Sequence, residues 1–164
     1  MSKTYKAAIT EAMKEAMDTK SNSLIIGQGV TDFKGIFDTI KGFNKKYPNR
    51  IIETPLAEDS VAGICIGASL NGAYPINTHI RADFGLLIFN QLINLAAKYK
   101  YMFGGLFEIP SMYRMIIGRS WGQGAQHSQS LQSLMAHIPG LVVVMPSDPK
   151  SIIESYRYAV QEHK

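Results

Sequence analysis

Apolar residues along the chain fall into two kinds of pattern. Near the start, Tyr5, Ile9, Ala12, Met13 and Ala16 recur at spacings of three and four, which lays one apolar stripe along a helix that Ser2 can cap. The run Ser23-Leu24-Ile25-Ile26-Gly27 is instead short, continuous and closed by glycine, as in a strand buried on both faces. Residues 31–47 read as a loop with a poorly defined helix, and residues 50–54 as a second strand stopped by Pro55. Residues 58–70 are helical in pattern but apolar almost all round. Ala62, Gly63, Gly67 and Ala68 keep that surface thin, so an interior helix lying against other backbone is expected. A third strand (74–80), a second nearly all-apolar helix (84–97) and a fourth strand (111–117) follow. Beyond a glycine-rich polar loop (118–130) come a short helix (131–137) and the apolar run 141–145, a fifth strand. Pro146-Ser147-Asp148-Pro149 then turns and caps a last helix reaching about residue 162.

Strands that alternate with helices, and whose apolar runs do not themselves alternate, predict the α/β class: a doubly wound, mainly parallel sheet with helices on both faces. Residues 1–164 form one domain in this reading, without internal repeat or low-complexity segment. Ligands of such sheets sit beyond the carboxyl ends of the strands, which directs attention to residues 27–30, 55–60, 79–84 and 118–127.

Composition narrows the partners. With 46% apolar and 18% charged residues, 164 residues are ample for one core. The net charge of +4 comes from scattered lysines and arginines with only Lys45 and Lys46 adjacent, so no nucleic-acid surface is indicated. Residues 60–80 carry no Asp, Glu, Lys or Arg, yet Asn71, Pro75, Asn77 and His79 argue against a membrane span. Lys3, Lys6, Glu11 and Lys14 interrupt any signal-peptide core, which makes a cytoplasmic chain the expectation. The single cysteine, Cys65, sits between Ile64 and Ile66 as a small buried hydrophobe.

Glu58 opens the interior helix just after the second strand. A carboxylate is favoured there simply as a charge against the helix dipole, but at the edge of so apolar a helix it is also a candidate for chemistry. Asp59 reads as the plain cap. His127, in Gly122-Gln123-Gly124-Ala125-Gln126-His127-Ser128-Gln129, is either a proton carrier in a functional loop or an ordinary loop histidine. His79 and His137 read as structural. No histidine, cysteine or carboxylate spacing suits a zinc site, and GxGxxG and GxxxxGK[ST] are both missing, which removes the nucleotide-fingerprint readings.

Three segments in fixed order carry a resemblance: Thr54-Pro55-Leu56-Ala57-Glu58; Asn90-Gln91-Leu92-Ile93-Asn94 with Ala96-Ala97-Lys98; and Gln126-His127-Ser128-Gln129. Together they resemble the N-terminal, pyrimidine-binding domain of 2-oxoacid dehydrogenase E1 β subunits, in the transketolase-like superfamily of thiamine-diphosphate enzymes. The likeness runs from about Tyr5 to the end and includes Pro139-Gly140-Leu141. It implies that Glu58 hydrogen-bonds N1′ of the cofactor aminopyrimidine, that Phe84 packs against that ring, and that His127 holds substrate carboxylate or moves protons in acyl transfer. It also implies a potassium ion held by backbone oxygens at or near Ser111, Ala159, Glu162 and Lys164.

Departures from the pattern qualify the substrate. Gly27-Gln28-Gly29 replaces Gly-Glu-Glu, leaving Gln28 as a neutral cofactor contact, and His79-Ile80-Arg81-Ala82-Asp83 is more charged than the pyruvate-type sequence. The GDG…NN signature for Mg²⁺ and diphosphate is absent, and the resemblance assigns it to an α-type E1 subunit. The chain also stops at Lys164, where the family continues into a C-terminal domain, as in a truncated or split chain. The resemblance thus implies half of a thiamine-diphosphate site, self-association through the apolar helices, and decarboxylation of a small-molecule 2-oxoacid with acyl transfer to lipoyl. A split transketolase or deoxyxylulose-phosphate-synthase-like subunit, with Arg81 and Arg119 near a sugar phosphate, and a non-catalytic assembly domain are the alternatives.

Overall fold

The computed structural model describes residues 3–118 and 120–162, without the side chain of Glu162. Four parallel strands, β1 (Ser23–Gly27), β2 (Ile51–Glu53), β3 (Tyr74–His79) and β4 (Met112–Met115), form a sheet in the order β2-β1-β3-β4. Adjacent β1 residues face opposite layers. Ile25, with Tyr74 and Ile76 of β3, packs on Met13, Ala16 and Met17, whereas Ile26 packs on Val61 and Cys65. A sheet buried on both faces accounts for the unbroken apolar runs and gives the doubly wound class read from them.

Helix α1 (Tyr5–Thr19) lies on the first face, burying Ala8, Ala12, Met13, Ala16 and Met17. The stripe is therefore rotated from the sequence reading, since Tyr5 is exposed. Thr4, not Ser2, caps the helix, its hydroxyl accepting from Ala7 N–H at 3.2 Å; Ser2 lies outside the described residues. Helix α3 (Pro149–Arg157) packs on α1 by setting Ile152 against Ala8 and Ala12. Its capping box on Asp148 and Ser151, with Pro149 at the first turn, is the start that the sequence signalled. Wider, π-helical turns continue it through Tyr158–Glu162.

Helix α2 (Glu58–Leu70) covers the other face with Val61, Ala62, Cys65 and Ile66, while Ile64 is exposed. A Cβ at Gly63 would stand 3.5 Å from the Gln91 side chain, so this part of α2 lies close to its neighbour; Gly67 opens onto free space. Asp59 is not the cap, which falls at Ala57. It sits in the first turn of α2 and accepts from Gln91 Nε2 at 3.2 Å.

Two expectations are corrected. Residues 84–97 are not one α-helix: a 3₁₀ coil spans Ala82–Ile88 and π-helical turns span Asn90–Ala96. The tight coil has three residues per turn, which stacks Ala82, Gly85 and Ile88 on one buried face, and Gly85 admits Met115 of β4 so closely that a Cβ would be 2.7 Å from its sulfur. The run 141–145 is not a fifth strand. It forms no ladder with β4 and leaves Val142, Val144 and Met145 more than half exposed. An apolar run with period-two exposure fits a strand only where a neighbouring backbone takes up its N–H and C=O groups, and here the sheet supplies none.

Candidate functional site

The strand order changes direction at β1, whose neighbours are β2 and β3, so the crevice beyond the carboxyl ends of β1 and β3 is the natural ligand site of this sheet. A cleft of about 310 Å³, part of it open to solvent, lies there. Three neighbouring strands contribute to its wall: Gln28 just after β1, Glu58 after β2, and Thr78 to Ile80 at the end of β3, with Phe84 following.

Local bonds fix these positions. Thr54 N–H donates to the Gly27 carbonyl at 3.2 Å, joining the exits of β2 and β1, and the Ala57 and Val61 amides then start α2 with Glu58 in its first turn. Glu58 is half-buried, and among the described residues its carboxylate has no hydrogen-bond or ion-pair partner. The loop carrying Gln28 is fastened by Glu53, which accepts from the Gly29 amide and from both the amide and the hydroxyl of Thr31 at 2.9 Å. Gly27 lets β1 and β3 close up at the cleft floor, because a Cβ there would run into the Thr78 carbonyl oxygen.

Polar groups of β3 complete the floor. Asn77 donates its amide N–H to the Ile26 carbonyl at 3.1 Å, which turns its oxygen to His79, and His79 Nε2 donates to that oxygen at 2.8 Å. Burial drives the His79 pKa down to about 4, so the ring is neutral and Nδ1 is left as an acceptor. The buried hydroxyl of Thr78 has no partner among the described residues.

The sequence-derived candidates thus converge in part. Glu58, Gln28 and Phe84 share the cleft. His127 lies just outside it, its half-buried ring edge-on to Phe84 at 5.6 Å. Asp83 steadies that loop, accepting from Gln129 N–H at 3.2 Å and from Gln129 Nε2 at 2.8 Å. The potassium candidates are elsewhere: Ser111 precedes β4 at the opposite end of the strands, and the Ala159 carbonyl accepts from Tyr74 OH at 2.8 Å. The side chain of Glu162, all of Lys164 and Arg119 lie outside the described residues. Sequence reasoning missed the cleft role of Thr78 and His79, although polar residues ending an otherwise apolar buried strand were a readable signal.

Over residues 1–164 the sequence matches the family described as transketolase, pyrimidine binding domain. The chain belongs to this family. Among relatives of this pyrimidine-binding domain, the β subunit of acetoin:2,6-dichlorophenolindophenol oxidoreductase of Cupriavidus necator is 37% identical over 154 residues, covering 88% of this chain and 46% of its own. The mitochondrial pyruvate dehydrogenase E1 component subunit beta of Bos taurus is 38% identical over 156 residues, covering 93% of this chain and 44% of its own. The chain therefore spans less than half the length of these curated relatives. A solved structure described as a split gene transketolase, inactive beta4 tetramer, shares the fold at a TM-score of 0.74 and 18% identity, covering 94% of this chain and 46% of that one. No helix among the described residues is long and apolar enough to cross a membrane.

Proposed function

We propose that this pyrimidine-binding domain is the β-type half of a thiamine-diphosphate-dependent 2-oxoacid dehydrogenase E1. The observation that carries the reading is Glu58: a half-buried carboxylate with no partner among the described residues, on the wall of a cleft that Phe84 also lines. A planar heteroaromatic ring with a basic nitrogen suits that pairing, since Phe84 offers an apolar face and Glu58 an unsatisfied hydrogen-bonding group. When bound, thiamine diphosphate would supply a carbon nucleophile and an electron sink for decarboxylation of a 2-oxoacid. Glu58 would hold a proton toward N1′ of the aminopyrimidine and so tune the basicity of the bound ring. Gln28, on the cleft wall, would face the ring without adding charge, and His127, held against Phe84, would move protons or hold carboxylate on the substrate side. Both similar β subunits belong to oxidoreductases, which favours this reading over a split transketolase.

Diphosphate and Mg²⁺ would be held by an α-type partner. Exposed Ile64, Leu86 and Leu87, with Gly67 open to close approach, support contact with that partner or with a second copy. Glu58→Gln in the complex reconstituted with its α-type partner and cofactor tests the assignment. The expected result is C2 proton exchange of bound cofactor slowed by roughly 10²-fold or more, with an unchanged circular dichroism spectrum. Exchange at the wild-type rate in a folded, loaded complex would sink the role of Glu58. Turnover of ketose phosphates but of no 2-oxoacid would favour the transketolase-like alternative.

A further inference from the structure

Arg81 leaves the end of β3 between two residues that line the cleft, Ile80 and Phe84, and is only 4% exposed. Its guanidinium stacks on aromatic rings, 4.2 Å from the centroid of Trp121 and 5.2 Å from that of Phe37. Nη1 donates to the Ile80 carbonyl at 2.8 Å, Nε donates to Gln123 Oε1 at 2.9 Å, and Nη2 donates to the same oxygen. Among the described residues no carboxylate pairs with it. A buried cation balanced only by neutral oxygens is costly, and the arrangement lacks one thing: a negative charge.

The place for that charge can be read from the hydrogen bonds. Nε and Nη2 form the guanidinium edge that takes the two oxygens of a carboxylate side by side, and here one amide oxygen occupies the whole edge. That oxygen belongs to an exposed residue between Gly122 and Gly124, both in left-handed conformations with nothing near a would-be Cβ, so the cover can swing away. On the other side Ile36, Phe37 and Asp38 all have positive φ (45°, 56° and 62°), a costly backbone that sets the Phe37 ring against Arg81. The subsite also adjoins the His127 loop, because a Cβ on Gly118 would stand 2.5 Å from the His127 carbonyl oxygen and 3.0 Å from Arg81 Nε.

We propose that Arg81 is an anion subsite beside the cleft, built to take the far carboxylate of a dicarboxylic 2-oxoacid, with the Gln123 amide holding its place when no anion is bound. The choice of substrate rests on the proposed function; the anion subsite itself does not. A guanidinium edge takes a carboxylate and a phosphate alike, so the choice of a carboxylate follows from the proposed 2-oxoacid substrate and not from the edge itself.

Trp121 is the single tryptophan of the chain, so its fluorescence reports on the subsite directly. Titrating the full chain with glutarate at constant ionic strength is expected to give a saturable change in emission. Acetate and inorganic phosphate bind about tenfold or more weakly, and Arg81→Gln abolishes the response. Gln123→Ala is the deciding variant: removal of the competing amide oxygen tightens glutarate binding several-fold, whereas a purely structural Gln123 would weaken it together with the loop. In the complex with its α-type partner, Arg81→Gln lowers kcat/KM for a dicarboxylic relative to a monocarboxylic 2-oxoacid by about tenfold or more. No saturable response in the wild type, or weaker binding in Gln123→Ala, overturns the proposal, and tighter binding of phosphate than glutarate overturns the carboxylate assignment. A saturable glutarate response without turnover of any 2-oxoacid leaves the subsite standing and refutes the dehydrogenase reading.

Discussion

Mild acid acts on the cleft floor before it reaches the carboxylates. His79 is 5% exposed and its Nε2 is committed to Asn77, so a second proton has to enter at Nδ1 in a dry site. Burial lowers its pKa from 6.5 to about 4, while the unfolded chain keeps the ordinary value. Above pH 6.5 both states hold a neutral ring and His79 costs nothing. Between pH 6.5 and 4 the unfolded chain binds a proton that the folded chain refuses, and stability falls as the pH falls; below pH 4 both are protonated and the loss is complete. At about 1.4 kcal/mol per pH unit, the loss over that window is about 3 kcal/mol, a large share of the stability of an ordinary domain. Urea unfolding followed at pH 7, 6, 5 and 4.5 measures it. His79→Gln, which keeps a donor for Asn77, is expected to start less stable at pH 7 and to lose little more between pH 6.5 and 4.5. An equal decline in wild type and variant over that interval would show that His79 is not what makes the domain sensitive to acid.

Gly27→Ala drives a methyl group into the Thr78 carbonyl between β1 and β3, and is expected to cost about 2–4 kcal/mol in urea unfolding with the cleft residues shifted in amide exchange. A loss below about 0.5 kcal/mol would mean that the strands part easily there. Cys65 is fully buried and its thiol pKa is pushed up to about 12 by burial, so labelling with a thiol reagent at pH 8 is expected to follow the unfolding rate and not the reagent concentration. Prompt stoichiometric labelling of the native chain would contradict the core position.

The sheet was legible in the sequence because burial on both faces writes a strand as an unbroken apolar run, and runs such as Ser23–Gly27 recur at the spacing that helical crossovers require. The same rule fails for residues 141–145, since apolar content does not reveal whether a backbone partner exists, and Val142 and Val144 stand exposed. Nor could periodicity reveal that the segment after β3 tightens and then widens, which depends on how closely Gly85 approaches Met115 across the layer. At the site, Glu58, Phe84 and Gln28 were found through resemblance together with strand-end logic, and they do share one cleft. The surroundings of Arg81 were invisible, because Phe37 on one side and Trp121 with Gln123 on the other are far from it in sequence and only the folded loops bring them together.

Glu53 does not itself line the cleft, yet its carboxylate ties the Gly29 amide and Thr31 to the end of β2 through three hydrogen bonds. Ordering a loop residue costs about 1–2 kcal/mol of backbone entropy, and for the stretch around Gln28 that ordering happens when the domain folds, not when a ligand arrives. Glu53 therefore acts on affinity from a distance: by preorganising a wall it does not itself form, it spares the incoming molecule the task of stilling that wall.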